Sequence, residues 1–533
     1  MSLTSIIRQE CTNCGKTAIE ASRLSIGKTT IIKLVCGHII SHQSSVSSNE
    51  ATYDSIVFSD GCKPREYQID CVKFAEAANF SCIIADEQGL GKTIESLSLL
   101  RLHPAKLLPA VICVPTTVKL QWMREIERIC VAGNPELKRQ FLTQVIQSGK
   151  EKAMPGFQIY IVTFDMLKKD DLFALVGENY IKTIIIDECQ RIKNHLSDRA
   201  KAVQRIAKRC EYRIPMSGTP IKNHAGEYFT VLNLVSPIRF PNYQKYLDNY
   251  CDAYHNGWGY KVGGLKNPEV FHEDTKDIII RRTKDQVLKD LPSIERKFYH
   301  VELDKKLNKA YAAALQELDD IFYGDDMNSF EKGSATIAIM SRLRHITGVS
   351  KVSECVDFTT EFLLSSDRKL TIFVHHQDVG QMLLSQLESY CSDGGYDKPL
   401  MLHSGLNGDE RSRLVETFKS SNSRVMIAST LAAGEGLNLQ FCSDAIILER
   451  QWNPANEEQA EARFHRFGQV NSVSITYMIA SGTIDEYFSE LVEKKRAIVA
   501  ATMDNKEIAW DQSSLMSELT QILVTKGRGK WTL

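Results

Sequence analysis

Cys82-Ile-Ile-Ala-Asp-Glu-Gln-Gly-Leu-Gly-Lys-Thr93 carries an apolar run straight into a glycine-bearing loop that closes on Lys-Thr, and Ile94-Glu-Ser-Leu-Ser-Leu-Leu100 follows with a helix-like pattern. Strand, glycine loop, Lys-Thr and helix, in that order, is the layout of a phosphate cradle. Gly89 and Gly91 let the backbone turn sharply and point amide hydrogens inward. The helix behind them adds its positive N-terminal end. Lys92 is placed to reach the outer phosphates of ATP, and Thr93 to offer its hydroxyl to Mg2+. Gln88 and Leu90 complete the loop. The glycine usual at the first consensus position is missing, where the chain has Asp86-Glu87-Gln88. A glycine turn that merely caps a helix is the alternative reading.

A second element supports the first. Ile181-Lys-Thr-Ile-Ile-Ile-Asp-Glu-Cys-Gln190 is a β-branched apolar run ending in two carboxylates. Such a run reads as a buried parallel strand, and ligands bind at the carboxyl ends of such strands in open α/β sheets. Asp187 is expected to hold magnesium, mostly through water, and Glu188 to orient or deprotonate the attacking water. Taken alone, the acidic pair also reads as a helix N-cap. Strand-like runs at Ala110–Val114 and Ile159–Thr163 lie between the two elements, which favours an ATPase lobe.

The bulk properties narrow the setting. A chain of 533 residues has room for three or four domains of ordinary size. A hydrophobic content of 43% supports ordinary buried cores. The formal net charge is -1, so nucleic-acid contact has to come from local basic stripes and not from bulk charge. No leading apolar segment with a basic flank and no membrane-length apolar run are present. Cysteines such as Cys82, Cys113 and Cys189 sit singly in apolar runs and read as buried thiols. The expectation is an intracellular protein: nuclear in a eukaryote, cytoplasmic or nucleoid-associated in a prokaryote or virus.

The N-terminus suggests separate chemistry. Cys11-Thr-Asn-Cys14 and Cys36-Gly-His38 form C-x-x-C and C-x-H about twenty residues apart, a spacing suited to tetrahedral Zn2+. His42 is a substitute for His38, and the alternative is buried thiols beside an ordinary histidine. Ile31-Ile-Lys-Leu-Val35 reads as a strand of the same small ribbon. Such a ribbon is too small to hold itself without a staple. It would carry DNA or a protein partner. The serine-rich run His42–Glu50 introduces a linker.

With these residues in view, the chain resembles the SWI/SNF branch of the superfamily 2 helicases, a branch of double-strand DNA translocases, over roughly residues 62 to 500. Pro64-Arg-Glu-Tyr-Gln68 resembles the adenine-reading motif, with Arg65 and Gln68 as nucleotide contacts. Ala85–Thr93 resembles A-D-E-x-G-L-G-K-T, so the loop's missing glycine is itself a mark of the branch. Val114-Pro115, Gln121-Trp122 and Glu125 resemble the strand and helix that touch the DNA backbone, and Met216–Asn223 the coupling motif S-G-T-P-x-x-N. Arg281-Arg282-Thr-Lys284 and Leu291-Pro292 resemble the R-R-x-K and L-P between the lobes. Gly434-Glu-Gly-Leu-Asn438, Trp452-Asn-Pro454 and Gln459–Gln469 resemble the A-G-G-x-G-L-N-L, W-N-P and Q-A-x-x-R-x-H-R-x-G-Q of the second lobe.

The resemblance implies two tandem RecA-like α/β lobes of parallel sheets flanked by helices, with helical insertions and a small N-terminal zinc module. The expected boundaries are 1–45 for the zinc ribbon, 46–61 for the linker and 62–238 for lobe 1. Residues 239–365 would be insertions and the interlobe connection, 366–500 lobe 2, and 501–533 a C-terminal tail. The resemblance also implies nucleotide contacts at Gly436 and Gln459. Arg463 and Arg466, three apart, can share one helical face and meet the charge that builds on the transferring phosphoryl; a solvated helix face is the alternative. Several positions depart from the family pattern. Cys189-Gln190 replaces Ala-His, Phe467 stands where isoleucine is frequent, and Leu343-Arg344-His345 replaces L-R-Q.

The implied activity is ATP-driven translocation on double-stranded DNA, holding phosphates without reading bases. The DNA-facing candidates are Lys119, Gln121, Trp122, Lys222, Asn223, His403, Thr430 and Asn438. Absence of histone-reading modules leans towards repair, fork remodelling, strand annealing or protein displacement. An idle helicase-fold scaffold or an RNA helicase are the alternatives, and no membrane partner is expected.

Overall fold

The protein is described from a computed structural model, which covers residues 8–10, 17–26, 29–34, 39–43, 53–177, 180–218, 225–255, 260–323, 329–430, 437–451 and 454–503. The chain separates into two units, Met1–Ile56 and Val57–Leu533. In the first, strands β1 (Arg8–Glu10), β2 (Thr17–Ile26), β3 (Thr29–Leu34) and β4 (Ile39–Gln43) form one antiparallel sheet in that order. The strand expected around Ile31–Val35 is β3. The zinc candidates Cys11, Cys14, Cys36 and His38 lie outside the described residues, as do Lys222, Asn223, Gly436 and residues 504–533.

The second unit holds two parallel sheets. The first contains β5 (Ile83–Ile84), β6 (Ala110–Val114), β7 (Thr143–Val145), β8 (Ile159–Thr163), β9 (Thr183–Asp187) and β10 (Tyr212–Met216). An antiparallel hairpin of β11 (Cys251–His255) and β12 (Tyr260–Leu265) follows. The chain then returns through β13 (Ile279–Ile280), and the seven-stranded order is β13-β5-β10-β9-β6-β8-β7. Every residue of β6 and β8 is buried, as is β9 up to Asp187. Continuous Val/Ile runs are what a strand covered on both faces requires. Burial of each such side chain contributes about 1.5–3 kcal/mol.

The second sheet joins β14 (Ile294–Val301), β15 (Leu370–Val374), β16 (Leu400–Leu402), β17 (Val425–Ser429), β18 (Asp444–Ile447) and β19 (Val473–Ala480) in the order β14-β19-β18-β15-β17-β16, all parallel. Thus the stretch between the lobes supplies an edge strand to each sheet, β13 to lobe 1 and β14 to lobe 2. Two helices, Lys305–Tyr323 and Ser329–Ser350, lie within the stretch expected to hold helical insertions. Among the described residues no helix is long and apolar enough to cross a membrane.

This strand order positions the site. β5, β10, β9 and β6 are neighbours. Their carboxyl ends therefore bring the glycine loop, Ser217-Gly218, Asp187-Glu188 and Pro115 to one rim, although these residues span more than a hundred positions of sequence.

Candidate active site

The loop after β5 needs its glycines. Gly89 and Gly91 have φ of 92° and 90°, in the region L side chains avoid. A Cβ on Gly91 would stand 2.5 Å from Gln68 Nε2, and one on Gly89 would stand 3.2 Å from Arg466 Cβ and 3.3 Å from Lys284 Cε. Lys92 opens the helix Lys92–Leu102, and its Nζ donates to the carbonyls of Asp86 (2.7 Å) and Glu87 (3.3 Å). A phosphate entering the loop would take over those bonds.

Opposite stand the two acids at the end of β9. Asp187 Oδ1 accepts from the Glu188 amide at 3.0 Å, and Oδ2 accepts from the indole Nε1 of Trp122 at 2.9 Å. Burial, and then the neighbouring Glu188, push the Asp187 carboxyl up to about 6. Glu188 adopts a left-handed conformation (φ 53°, ψ 53°), uncommon outside glycine and frequent at functional sites. Its Oε2 accepts from Gln190 Nε2, and from Gln459 Nε2 of lobe 2 at 3.5 Å. Gln190, standing where the family has histidine, therefore touches the carboxylate expected to handle the water.

Lobe 2 closes this cavity, of about 130 Å3, whose lining includes Gln88, Lys92, Thr93, Asp187, Glu188, Arg463 and Arg466. The shared helical face expected for Arg463 and Arg466 is corrected by the structure. The helix Pro454–Glu461 ends before them, and both lie in the turns that follow. Phe464 between them is fully buried and meets Phe373 edge-on at 5.8 Å, so the chain turns to plant that ring in the lobe 2 core. Both arginines still reach one cavity. Removal from water, and then Arg463, bring the Arg466 pKa down to about 10. Arg466 Nε and Gln88 Nε2 are buried donors with no hydrogen-bond partner among the described residues. A cavity with a lysine, a desolvated guanidinium and unanswered donors fits a polyphosphate. Thr93 and Asp187 on the same walls fit the magnesium that accompanies it. Among the described residues no cluster of three or more His, Cys, Asp or Glu is arranged to hold a metal by itself.

The expected base contacts sit close by. Gln68 is buried; its Nε2 donates to the Leu90 carbonyl at 2.9 Å and its Oε1 accepts from the Arg65 amide at 3.0 Å. To read a base it would have to exchange one of these bonds. The Arg65 guanidinium lies 3.4 Å above the ring of Phe467, a contact between the lobes.

A larger cleft, of about 1030 Å3, runs along the two lobes, lined by Thr117, Lys168, Arg191, Lys193 and Arg199 on one side and Ser404, Arg411, Thr430, Asn456 and Gln459 on the other. Of the DNA-facing candidates, Thr430 lines this cleft while donating to the Val374 carbonyl at 3.3 Å. His403 is partly exposed and Asn438 exposed. Gln121 lines the smaller cavity. Two candidates are corrected. Lys119 is buried, with Nζ 3.2 Å from the carbonyls of Ile146 and Gln147. Trp122 is 2% exposed and points at Asp187. Both belong to the inner face of the helix Lys119–Ile126, whose apolar packing outranks the polar look of the string. Sequence reasoning missed the basic groups of the cleft. Arg191 and Lys193, directly after the Asp187-Glu188 strand end, were the available signal.

A third cluster lies behind the loop. Arg282 donates to the carboxylate of Asp86 and, at 3.0 Å, to Glu95 Oε1, both acids being fully buried. Burial, and then Asp86, push the Glu95 carboxyl well above the usual range. The first position of the loop is thus an acid because it carries the counter-ion of the interlobe connection.

The chain is similar to known proteins. Residues 67–350 match the SNF2-related domain, and residues 350–468 match the helicase conserved C-terminal domain. The DNA annealing helicase and endonuclease ZRANB3 of Mus musculus is 27% identical over 452 residues, covering 83% of this chain and 41% of that protein. The SWI/SNF-related matrix-associated actin-dependent regulator of chromatin subfamily A-like protein 1 of Xenopus laevis is 30% identical over 436 residues, covering 80% of this chain and 43% of that protein. The chain spans less than half the length of either relative. Among solved structures, the Sulfolobus solfataricus SWI2/SNF2 ATPase core in complex with dsDNA aligns with a TM-score of 0.38 at 22% identity, covering 87% of this chain and 97% of that one.

Proposed function

The chain belongs to the SNF2-related family, and from that premise we propose that it is an ATPase that translocates on double-stranded DNA. The observation that carries this reading is the shared cavity: Lys92 and the two acids come from lobe 1, Arg463 and Arg466 from lobe 2. Hydrolysis at such a site depends on how the lobes meet, which is what a motor needs.

In this reading Lys92 and the loop amides bind the outer phosphates; Thr93 and Asp187 would hold magnesium, which would supply charge neutralisation there. Glu188 orients a water and accepts its proton as the water oxygen bonds to the terminal phosphorus and ADP leaves. Arg463 and Arg466 balance the charge on the transferring group. Gln459, on Glu188 at 3.5 Å, links lobe 2 to that carboxylate. The cleft lined by Lys168, Arg191, Lys193, Arg199 and Arg411 takes the DNA backbone, with hydroxyl and amide groups among the cations.

The test is ATP turnover with and without linear double-stranded DNA. Equal rates would sink the translocase reading, and stimulation by RNA alone would replace it with an RNA helicase. We place the protein's work at forks or annealing junctions, since one matching relative is named a DNA annealing helicase. Greater stimulation by forked than by linear or nucleosomal DNA is the expected result; a preference for nucleosomes would refute it.

A further inference from the structure

The helix Lys119–Ile126 and the turn before it, Thr116–Val118, touch three separate parts of the molecule. Thr117 lines the large cleft. Its carbonyl lies 3.4 Å from where a Cβ on Gly408 of lobe 2 would stand. On the outer face Arg124 pairs with Asp409 at 3.5 Å and donates to Ser412 Oγ at 3.4 Å, both on the lobe 2 helix Gly408–Ser420. On the inner face Trp122, 2% exposed, donates its indole N–H to Asp187 Oδ2 at 2.9 Å. One short segment therefore meets the cleft, the opposite lobe and the carboxylate expected to hold magnesium.

The contact has consequences for Asp187. A carboxylate that holds a metal through water has to keep one rotamer, and hydrogen bonds from outside the metal shell are what orient it. Oδ1 is taken by the Glu188 amide at 3.0 Å, so the indole decides where Oδ2 points. An indole is a donor only, so it cannot turn over and compete for the metal. Its ring is buried and lines the small cavity from the helix Lys119–Ile126.

We infer that Trp122 is a positioning residue for the reaction, acting through Asp187, and that it passes the position of the Thr116–Ile126 segment, set by DNA in the cleft and by lobe 2 through Arg124, to the magnesium site. The inference rests on the proposed ATPase reading. A residue with only a packing role would affect stability alone. A positioning residue affects how much magnesium the nucleotide needs, and how far DNA changes that need.

The experiment uses the full chain and a fluorescent ATP analogue, titrating Mg2+ with and without double-stranded DNA and scoring binding, not turnover. In the wild type, DNA is expected to lower the magnesium midpoint. Trp122→Phe, which keeps a ring and removes the N–H, should raise the midpoint about 10-fold, the low end of the 10–100-fold effect of disturbing a group that orients a metal ligand, and abolish the DNA-dependent shift. A folded W122F protein with the wild-type midpoint and wild-type DNA shift overturns the inference and leaves the ATPase reading standing. Absence of magnesium-dependent nucleotide binding in the wild type overturns both. If W122F fails to fold, a benzothienylalanine at position 122, which keeps the bicyclic shape and lacks the N–H, is held to the same outcomes.

Discussion

Arg282→Leu isolates the most concentrated electrostatic contact in lobe 1. The guanidinium donates through Nε to both oxygens of Asp86 (3.2 and 3.1 Å), through its terminal nitrogens to Asp86, Glu95 and the Tyr67 carbonyl, while its backbone N–H adds a 2.9 Å bond to Asp86. Asp86 is fully buried and the Arg282 side chain is 15% exposed. Burial, and then Asp86, hold the Glu95 carboxyl well above the usual range, and it accepts from the same guanidinium. Removing the cation leaves Asp86 charged and enclosed, a change that costs about 3–5 kcal/mol. The expected loss is therefore about 3–5 kcal/mol in the lobe 1 urea transition. Asp86→Asn in the same protein tests whether the loss belongs to the pair. With Asp86 neutral, Arg282→Leu should cost at least about 1.5 kcal/mol less, within the coupling range of contacting charges. Nucleotide affinity should fall in Arg282→Leu, since the Lys92 ammonium rests on the carbonyl of that same Asp86. A loss below 1 kcal/mol, or single substitutions that simply add, would refute the reasoning.

Other expectations follow from the same geometry. Glu188→Gln should lower turnover by about 10²–10⁴-fold while nucleotide affinity, measured by fluorescence, stays within a few-fold of wild type; a comparable loss of affinity would show that the carboxylate serves binding. Arg466→Met should abolish turnover yet stabilise the ligand-free protein by about 1–3 kcal/mol, because a guanidinium whose pKa has dropped to about 10 is held at the expense of the fold; an unchanged or lower melting temperature contradicts this. His375, after β15, has its pKa brought down to about 4, by burial first and then by Arg344 and His376. The unfolded chain binds that proton near pH 6.5, so stability is intact above this value and falls by up to about 3 kcal/mol as pH drops towards 4. His375→Gln should flatten that acid limb, and coincident stability–pH curves would exclude the assignment.

Much of this architecture was legible in short strings because their physics is local. The runs Ala110–Val114, Ile159–Thr163 and Ile181–Asp187 are β-branched and uninterrupted, and a strand buried on both faces admits little else. Gly89 and Gly91 need positive φ, which the sequence announces by the glycines themselves. Lys92, Thr93, Asp187 and Glu188 then fall on one rim by the topology of any open parallel sheet. The readings that failed were those that assumed a local frame where the frame was tertiary. Arg463 and Arg466 looked like one helical face, but Phe464 needed the lobe 2 core and turned the chain. Lys119 and Trp122 looked like DNA-backbone contacts, but the helix Lys119–Ile126 buries that face.

By itself, then, the sequence determined which groups are present: a glycine loop closing on Lys-Thr, an acid pair at a strand end, two arginines and two parallel sheets to carry them. These depend on side-chain type and on spacings of a few residues, where chain connectivity dictates geometry. The tertiary structure decided who answers whom: Trp122 with Asp187, Arg282 with Asp86 across 196 positions, and Gln459 with Glu188 across 271. Such pairs are chosen by which buried charge or donor lacks a nearer partner once the sheets have packed. That choice is made by desolvation over the whole core, which no local pattern of residues encodes.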